Sequence, residues 1–304
     1  MRMRKHSVWA VAGLAVLAAV SGCGTDQPSG PVAGPTTASP SPSATHAPES
    51  TPESTEAAAP DSPAGLLARA EAAMGAEAGW TFKVTSEESL AQSGAPAEQT
   101  SGASYSATVD RTGSPEALHQ TGTVRSRGKS KPEEVFAVDG TGYVREGAPG
   151  TPWRNAPLTD PETAAKVEDP LAALATFAAY AEQGERIEVI RSGGEIRLRL
   201  RIPAGRLSER EERPAVARAA QEFLPTLEKL RKAGVTAPEK KIVLSRFEET
   251  LVLDARTHQV TSYRTSFGFA VPHDGRRLDY AQKLRTDTKG VFTGRIEVPA
   301  AATS

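Results

Sequence analysis

The sequence predicts an α+β fold in which an antiparallel sheet carries helices gathered on one face. Alternations of apolar and polar residues with a period of two recur at hairpin spacing along residues 80–298. Three longer segments have apolar residues at helical spacing, and a capping residue or a proline begins each of them. The strands come in consecutive groups rather than alternating singly with helices, which favours antiparallel pairing and a layered α+β domain.

The first predicted helix begins after Ser62, a capping residue, and ends at Gly75. Its apolar positions recur at helical spacing and are Leu66, Leu67, Ala70, Ala73 and Met74. The sheet then starts at Trp80–Val84 and continues through Tyr105, Ala107 and Val109, with a weaker strand over Leu118–Val124.

A hairpin is predicted where Val135–Val138 meets Asp139 and Gly140, because an Asp-Gly pair between apolar runs is a strong turn signal. The return strand is Tyr143–Arg145. The same reasoning makes Gly140 and Gly142 turn residues rather than part of a dinucleotide fingerprint, which would need a third glycine.

Two further helices are predicted. One follows Asp169 and Pro170 and ends before Gly184. The other spans Pro214–Lys232, and Pro225 inside it predicts a kink or a division into two segments.

The remaining strands cluster in the C-terminal half. Ile196–Ile202 alternates four aliphatic residues with three arginines. This row of arginines could contact an anionic surface, but alternation alone makes it the solvated face of a half-buried strand. Four more strands are expected, at Arg246–Leu253, Val260–Ala270, Leu278–Leu284 and Val291–Val298.

Composition limits the function classes. The 304 residues are 38% hydrophobic and 24% charged, with a formal net charge of −1. This balance is that of a globular domain with no basic footprint for nucleic acid. The single cysteine excludes an internal disulfide and a cysteine-based zinc site. We predict no cofactor and no metal.

The N-terminus resembles a bacterial lipoprotein signal. Basic residues precede an apolar stretch from Val8 to Val20, too short to span a bilayer comfortably, and the run Val20-Ser21-Gly22-Cys23 resembles a lipobox. Residues 1–22 are therefore a predicted signal peptide. Cys23 becomes the acylated (palmitate-type) N-terminus, anchored to the cell membrane on its extracytoplasmic side. The alternative is an ordinary secretory signal with a coincidental cysteine.

Residues 23–60 are predicted to be a disordered tether. From Gly24 to Pro60 there is no aromatic residue and there are eight prolines, so the segment cannot bury enough surface to offset its ordering entropy. Its length corresponds to roughly 35 Å as a flexible coil and about 110 Å in the polyproline limit. A single domain over residues 61–300 follows.

Several of these features together resemble actinobacterial lipoproteins of the LppX/LprG type, whose fold is similar to that of the carriers LolA and LolB. They are the lipobox, the tether, the opening helix, "WTFKV", "VFAVDGTGYVREGAPGTPW", the helix after "DP" and "LVLDARTHQVTSYRTSF". The resemblance covers about residues 61–298. It implies a curved antiparallel half-barrel with helices on its concave face, and in several members an apolar cavity that holds acylated lipids or lipoglycans. The long tether and the charged segment Leu207–Lys241 depart from that pattern.

The function expected from this resemblance is a lipid-binding or lipid-shuttling lipoprotein. The alternative is an envelope sensor or protein-interaction module without a ligand, acting through an envelope protein partner. Candidate cavity residues are the inward apolar positions, each of which could equally be plain core. They are Phe82, Val84, Tyr105, Val109, Phe136, Val138, Leu174, Phe177, Leu198, Leu200, Leu251, Leu253, Phe267 and Phe269.

No catalytic residue is predicted. His119, His258 and His273 lack the spacing of a metal or catalytic motif, and no Gly-x-Ser-x-Gly elbow occurs. Adjacent acidic pairs at 87–88, 211–212 and 248–249 are expected to be solvated charges. The sequence therefore predicts that the protein is not an enzyme.

Overall fold

Twelve antiparallel strands form one open, curved sheet in the computed structural model, which describes residues 59, 61–94 and 100–303. The signal peptide, Cys23 and nearly all of the tether lie outside the described residues. The strand order is β6-β5-β4-β3-β2-β1-β12-β11-β10-β8-β7, and the short β9 pairs with β10. The strands are Gly79–Gln92 (β1), Ser101–Gly113 (β2), Glu116–Ser126 (β3), Lys129–Val138 (β4), Thr141–Glu146 (β5), Arg154–Pro157 (β6), Glu188–Ser192 (β7), Glu195–Ile202 (β8), Gly205–Arg206 (β9), Val243–Asp254 (β10), Val260–His273 (β11) and Arg276–Val291 (β12).

The sheet is built from two meanders that meet at its centre. Strands β1 to β6 run outward in one direction, and β12, β11 and β10 run outward in the other. The first and last long strands pair along their length, from Trp80 opposite Val291 to Gln92 opposite Leu278. This pairing joins the two halves into one sheet, and the predicted α+β class is confirmed.

In the part of the chain that the structure describes, five α-helices accompany the sheet. They are Pro63–Gly75 (α1), Pro161–Ala164 (α2), Ala172–Glu182 (α3), Pro214–Lys232 (α4) and Ala300–Thr303 (α5). Side chains of α1, α3 and α4 pack in one apolar core with one face of the sheet, which we call the inner face. None of the helices in residues 61–94 and 100–303 is both long and apolar enough to cross a bilayer.

Local contacts explain where the elements begin and turn. The Ser62 hydroxyl accepts a hydrogen bond from the Gly65 amide at 3.1 Å and caps α1. The indole Nε1 of Trp80 donates to the Met74 carbonyl at 2.8 Å, which ties the end of α1 to the start of β1. Asp139 and Gly140 both have positive φ, 49° and 76°, as the predicted tight turn between β4 and β5 requires.

Aromatic side chains pack both α3 and α4 against the sheet. The ring of Phe223 on α4 stacks on Phe269 with a centroid separation of 4.6 Å and lies 4.8 Å from that of Tyr280. The ring of Phe177 on α3 lies 5.9 Å from that of Tyr180 and 6.4 Å from that of Tyr263 on β11. Along β11, buried Thr265 lies between Tyr263 and Phe269 and belongs to a band of polar residues on the inner face.

The structure differs from the sequence predictions at three places. Of the two alternatives for residues 214–232, the division into two segments is wrong, because the helix is continuous with Pro225 inside it, and the kink stays a prediction. A short helix, α2, begins after Asp160, whose carboxylate accepts from the Thr163 amide at 2.9 Å, and it was not predicted. No strand covers 292–298, because β12 extends to Val291 and already supplies the last partner of β1.

Candidate functional site

A narrow cleft lies where the inner face meets the segment after α2 and the middle of α4. It has a volume of about 50 Å³. We call it the inner cleft, and polar side chains predominate in its wall. Its lining residues are Tyr105, Gln120, Val124, Glu133, Ala165, Lys166, Val167, Glu168, Arg218, Glu222, Thr265, Gln282 and Leu284.

The sheet side of the cleft depends on a close approach at Gly122. Strand register places Gly122 beside Ala107 on β2 and Glu133 on β4. A Cβ atom at this glycine would lie 2.8 Å from the ring and hydroxyl of Tyr105. Glycine therefore leaves the space in which the Tyr105 ring lies against β3.

Lys166 ties the segment after α2 to the sheet. Its Nζ lies 2.7 Å from Glu133 Oε2 and 2.6 Å from Glu146 Oε1. Its carbonyl accepts from Gln120 Nε2 at 3.2 Å. Burial alone would lower the pKa of Lys166, but the attraction of Glu133 and Glu146 outweighs it and raises that pKa.

Glu146 is affected in the opposite direction. Partial burial would raise its pKa, but hydrogen bonds and charge from Lys166 and Lys131 outweigh burial and lower that pKa to about 2. Glu146 is therefore ionised at neutral pH and holds Lys166 in place.

Arg218 is the second cation and lies on α4. Its Nη1 is 3.1 Å from Glu249 Oε1 and its Nε is 3.3 Å from Glu222 Oε1. Nη1 also donates to the hydroxyls of Tyr180 and Tyr263, each at 3.4 Å. These contacts occupy the guanidinium and connect α4 with α3, β10 and β11.

A hydrogen-bond chain extends this network along the inner face. The Tyr280 hydroxyl donates to Gln282 Oε1 at 2.7 Å, and Gln282 Nε2 donates to Glu222 Oε2 at 3.3 Å. Burial raises the pKa of Glu222 to about 7; the charge of Arg218 opposes this shift and that of Glu249 adds to it. Glu222 thus titrates near neutral pH.

Glu168 differs from the other carboxyl groups of the cleft. The residue is 7% exposed, and its side chain makes no hydrogen bond or ion pair with any residue in the described ranges. Burial, together with repulsion from Glu133 and Glu222, raises its pKa to about 8. A carboxyl group without a partner therefore faces the cleft.

Two more polar groups of the cleft lack a partner. The hydroxyl of Tyr105, a residue 6% exposed, makes no hydrogen bond of accepted geometry within the described part of the chain. The same holds for Oε1 of Gln120, which is 1% exposed. Burial raises the pKa of the Tyr105 hydroxyl and the Gln120 side chain opposes that shift, so the two groups lie near each other. A buried polar group without a hydrogen bond costs about 1–3 kcal/mol, so such groups mark places where a bound molecule would be stabilised.

The candidate cavity residues from the sequence are brought together, but mostly as packed core. Of the fourteen, only Tyr105 lines the inner cleft. Twelve, Tyr105 included, belong to one buried apolar cluster: Phe82, Val84, Tyr105, Val109, Leu174, Phe177, Leu198, Leu200, Leu251, Leu253, Phe267 and Phe269.

Phe136 and Val138 are on the wrong side of the sheet for a cavity. Register places Val135 opposite Gln120 and Phe136 opposite His119, so the two predicted residues point to the outer face. There Phe136 stacks on the His119 ring at a centroid distance of 4.2 Å. The sequence did not show which face of β4 is inward, because this strand carries apolar residues on both faces.

Two of the acidic residues expected to be solvated are buried. Glu249 is 2% exposed and Glu88 is 7% exposed, and the latter accepts from the Thr226 hydroxyl at 3.0 Å. Glu249 occupies an inward position of β10 between Phe247 and Leu251. That alternation was readable in the sequence, and it was the available signal for the polar band.

For the other residues that line the cleft, the sequence pattern gave no indication that they would be buried. Lys166 and Glu168 follow a helix that was not predicted, so nothing indicated that they meet the sheet. Arg218 and Glu222 lie four residues apart on α4, a spacing that also occurs on solvated helices. Only the packing of α4 on the inner face makes this pair a buried one.

The outer face also has surface depressions, but they differ in chemistry. One of about 580 Å³ is lined by Arg197, Arg199, Arg246, Arg264 and other charged or hydroxyl side chains. The β8 arginines are paired: Arg197 with Glu195 at 2.7 Å, Arg199 with Glu188 at 2.7 Å, and Arg201 with Glu248 at 3.1 Å. This arrangement agrees with a solvated strand face.

No metal centre is formed by the described residues. Within residues 61–94 and 100–303, no three histidine, cysteine, aspartate or glutamate side chains are grouped as metal ligands. The cleft contains acids and bases, but its two cations are held in ion pairs.

Comparisons with known proteins reveal only distant structural similarity. No protein-family model matches the chain, and no curated protein sequence matches it significantly. A β-barrel-like protein of domain of unknown function DUF1849 from Brucella abortus is similar at 7% identity and a TM-score of 0.24, covering 69% of this chain and 98% of that one. The ywiB protein from Bacillus subtilis is similar at 6% identity and a TM-score of 0.20, covering 70% and 95%. A DUF1329 family protein from Desulfovibrio piger is similar at 7% identity and a TM-score of 0.26, covering 75% and 92%.

Proposed function

We propose that the protein is a lipid-anchored extracytoplasmic lipoprotein, of the LppX/LprG-like kind, that binds an amphipathic or hydrophobic envelope molecule. In this proposal Cys23 carries the acyl chains, residues 24–60 tether the domain, and the inner cleft is where the ligand enters. The protein performs no chemical reaction on that ligand. The anchor rests on the lipobox resemblance, and the binding role rests on the cleft.

The observation that carries the binding role is the pair of unpartnered buried groups, Tyr105 OH and Gln120 Oε1, at the cleft wall. Half-buried apolar side chains of Val124, Ala165 and Val167 border the same cleft. A molecule with a polar group and an apolar part would satisfy the first set and cover the second.

The size of the cleft limits the first binding step. A volume of about 50 Å³ is well below the roughly 300–1,000 Å³ of ordinary small-molecule pockets. The cleft as it stands accommodates a polar head group only. Insertion of an acyl chain requires the segment around Lys166 to move away from the sheet, which breaks its ion pairs with Glu133 and Glu146.

A second candidate function is an envelope sensor or protein-interaction module without a ligand. The observation in its favour is the dense packing of the twelve apolar residues that would otherwise line a lipid cavity. In this case the inner network would serve stability alone.

The test is native mass spectrometry of the full-length lipoprotein, extracted from its own membranes and released from detergent. We expect an added mass that corresponds to one co-purified amphipathic molecule. Ala165→Trp, which fills the cleft, should remove this mass, whereas Ala175→Trp, at an exposed position of α3, should retain it. A protein that repeatedly carries no added mass, or equal mass in both variants, would overturn the binding role.

A further inference from the structure

We propose that the inner cleft is a socket for a primary ammonium group at the end of an aliphatic chain, held by Glu168, Gln120 and Tyr105. This inference rests on the proposed function and deepens it by naming the chemical class of the ligand. It follows from the charge, the hydrogen-bonding groups and the shape of the cleft.

The first argument is charge. Lys166 is already paired with Glu133 and Glu146, and Arg218 with Glu222 and Glu249. Among the residues that line the cleft, Lys166 and Arg218 are matched by Glu133 and Glu222, so the unpartnered Glu168 is the acidic group in excess. A positively charged ligand would neutralise this excess negative charge, whereas an anionic ligand would increase it.

The second argument is the direction of the unpartnered hydrogen bonds. Gln120 Nε2 donates to the Lys166 carbonyl at 3.2 Å, which orients the amide because a carbonyl accepts only from the NH₂ side. Its free atom is consequently an acceptor. The Glu168 carboxylate is an acceptor too, and the Tyr105 hydroxyl can accept as well. A primary ammonium has three N–H donors, one for each of these groups.

The third argument is size and surroundings. The volume of about 50 Å³ suits an ammonium group with its first carbon atoms rather than a ring or a branched head group. Val124, Ala165 and Val167 are half-buried beside it. An aliphatic chain leaving the cleft would run along these side chains.

Protonation of Glu168 gives the proposal a second readout. Burial is the main cause of the raised pKa of Glu168, about 8, and repulsion from Glu133 and Glu222 adds to it. The two neighbouring carboxyl groups also attract a cation, so binding replaces the carboxyl proton of Glu168 by the ammonium. The groups whose charge interacts with Glu168 are Glu133 of β4, Glu222 of α4 and the hydroxyl of Tyr105 on β2. Lys166 and Arg218 line the same cleft, each held in ion pairs. Affinity should rise as the pH increases from 6 to 8, because a larger fraction of Glu168 is ionised before binding.

The experiment is isothermal titration calorimetry on the full chain carrying Cys23→Ala, which removes the predicted site of acylation. The probes are hexylammonium, hexyltrimethylammonium, hexanol and hexanoate. We expect hexylammonium to bind in a 1:1 ratio and the other three to bind about tenfold more weakly or not at all, since charged hydrogen bonds are the strong ones. The trimethyl compound tests donation, because it has the charge but no N–H.

Two variants separate a ligand contact from a structural effect. Glu168→Gln should weaken hexylammonium binding about tenfold or more and abolish the rise in affinity between pH 6 and pH 8. Glu162→Gln, an exposed acid on neighbouring α2, should change neither. Thermal unfolding of Glu168→Gln checks that the variant is folded, and an amide in place of a buried acid should not lower its Tm.

The outcome distinguishes this inference from the proposed function. Equal binding of hexanoate and hexylammonium, or unchanged binding by Glu168→Gln, overturns the ammonium socket. If a lipid without an amine nevertheless co-purifies in the native mass spectrum, the binding role stands and only the head-group assignment is wrong.

Discussion

Arg218 on α4 lies 3.1 Å from Glu249 on β10, and the glutamate side of this ion pair is buried while the arginine is 19% exposed. Burial raises the pKa of Glu249, although the charge of Arg218 and hydrogen bonds from Thr265, Tyr180 and Tyr263 oppose that shift. The pair is one of several polar contacts that join α4 to the sheet.

Removal of the arginine should therefore be costly. We expect Arg218→Met to lower the free energy of unfolding by about 3–5 kcal/mol at pH 7, the usual cost of leaving buried charges uncompensated. The loss should be smaller at pH 5, where Glu222 and Glu249 can take up protons. Urea denaturation measures both values. Arg264→Met, at an exposed arginine on the outer face, is the control, and an equal loss in it would contradict the prediction.

The contact between Tyr105 and Gly122 predicts a steric effect. Gly122→Ala places a methyl group 2.8 Å from the Tyr105 ring and 2.9 Å from the Ala107 Cβ, and we expect about 1–3 kcal/mol of destabilisation from overpacking. Gly113→Ala, which would meet nothing within 4 Å, should be nearly neutral. In a double-mutant cycle, Gly122→Ala should destabilise the Tyr105→Ala variant less than it destabilises the wild type. If the two changes in the free energy of unfolding simply add, the two residues do not interact.

Stability should fall as the pH rises through the range in which Glu168 ionises. The folded protein has a raised pKa of about 8 for this group, against about 4.3 for an unperturbed glutamate. Between these values the folded state binds more protons than the unfolded state, so the free energy of unfolding decreases with increasing pH. Glu168→Gln should make this slope shallower between pH 5 and 8, measured by urea denaturation at several pH values. Glu222, with a pKa of about 7, should leave a slope of the same sign below pH 7.

Glu146 should contribute with the opposite sign. Its pKa is lowered to about 2 in the folded protein, so its stabilising interaction with Lys166 is present above the ordinary glutamate pKa. This stabilisation is lost as the pH falls through about 2. Glu146→Gln should lower stability at pH 7 and have little effect at pH 2. A variant equally destabilised at both pH values would indicate a packing effect instead.

The stacked rings of Phe136 and His119 on the outer face test whether only the inner side of β4 contributes to ligand binding. Phe136 is buried against His119 and lies 5.7 Å from the Trp153 ring centroid. Phe136→Ala should cost about 3 kcal/mol or somewhat more and leave occupancy of the inner cleft unchanged. Loss of the co-purified molecule from a folded Phe136→Ala protein would show that the two faces are coupled.

Cys23 provides a prediction about location. Cys23→Ala should release the protein into the medium or leave an uncleaved precursor, because the acylated cysteine supplies the membrane affinity. Cell fractionation and the mass of the N-terminal peptide measure this. A fully processed Cys23→Ala protein that still fractionates with membranes would exclude the lipid anchor.

The α+β class, the three long helices and most strands were predictable from sequence because they depend on local patterns. Period-two alternation places Leu198 and Leu251 inward whatever their neighbours are, and Ser62 caps α1 through a contact three residues away. The predicted strand at 291–298 was wrong because strand length depends on available partners, and β1 begins at Gly79, one residue before the Trp80 that pairs with Val291.

The candidate site could be predicted only in part. Tyr105 was named from its inward position, but Glu168, Lys166 and Arg218 come from segments far apart in the chain, and their meeting depends on how the helical layer packs on the sheet. The sequence alone determined that this chain has an inward apolar face and a lipobox-like start at Cys23. Tertiary packing decided that the apolar residues form a solid core and that a small polar cleft remains beside it, because burial and pairing of charges depend on contacts between distant elements.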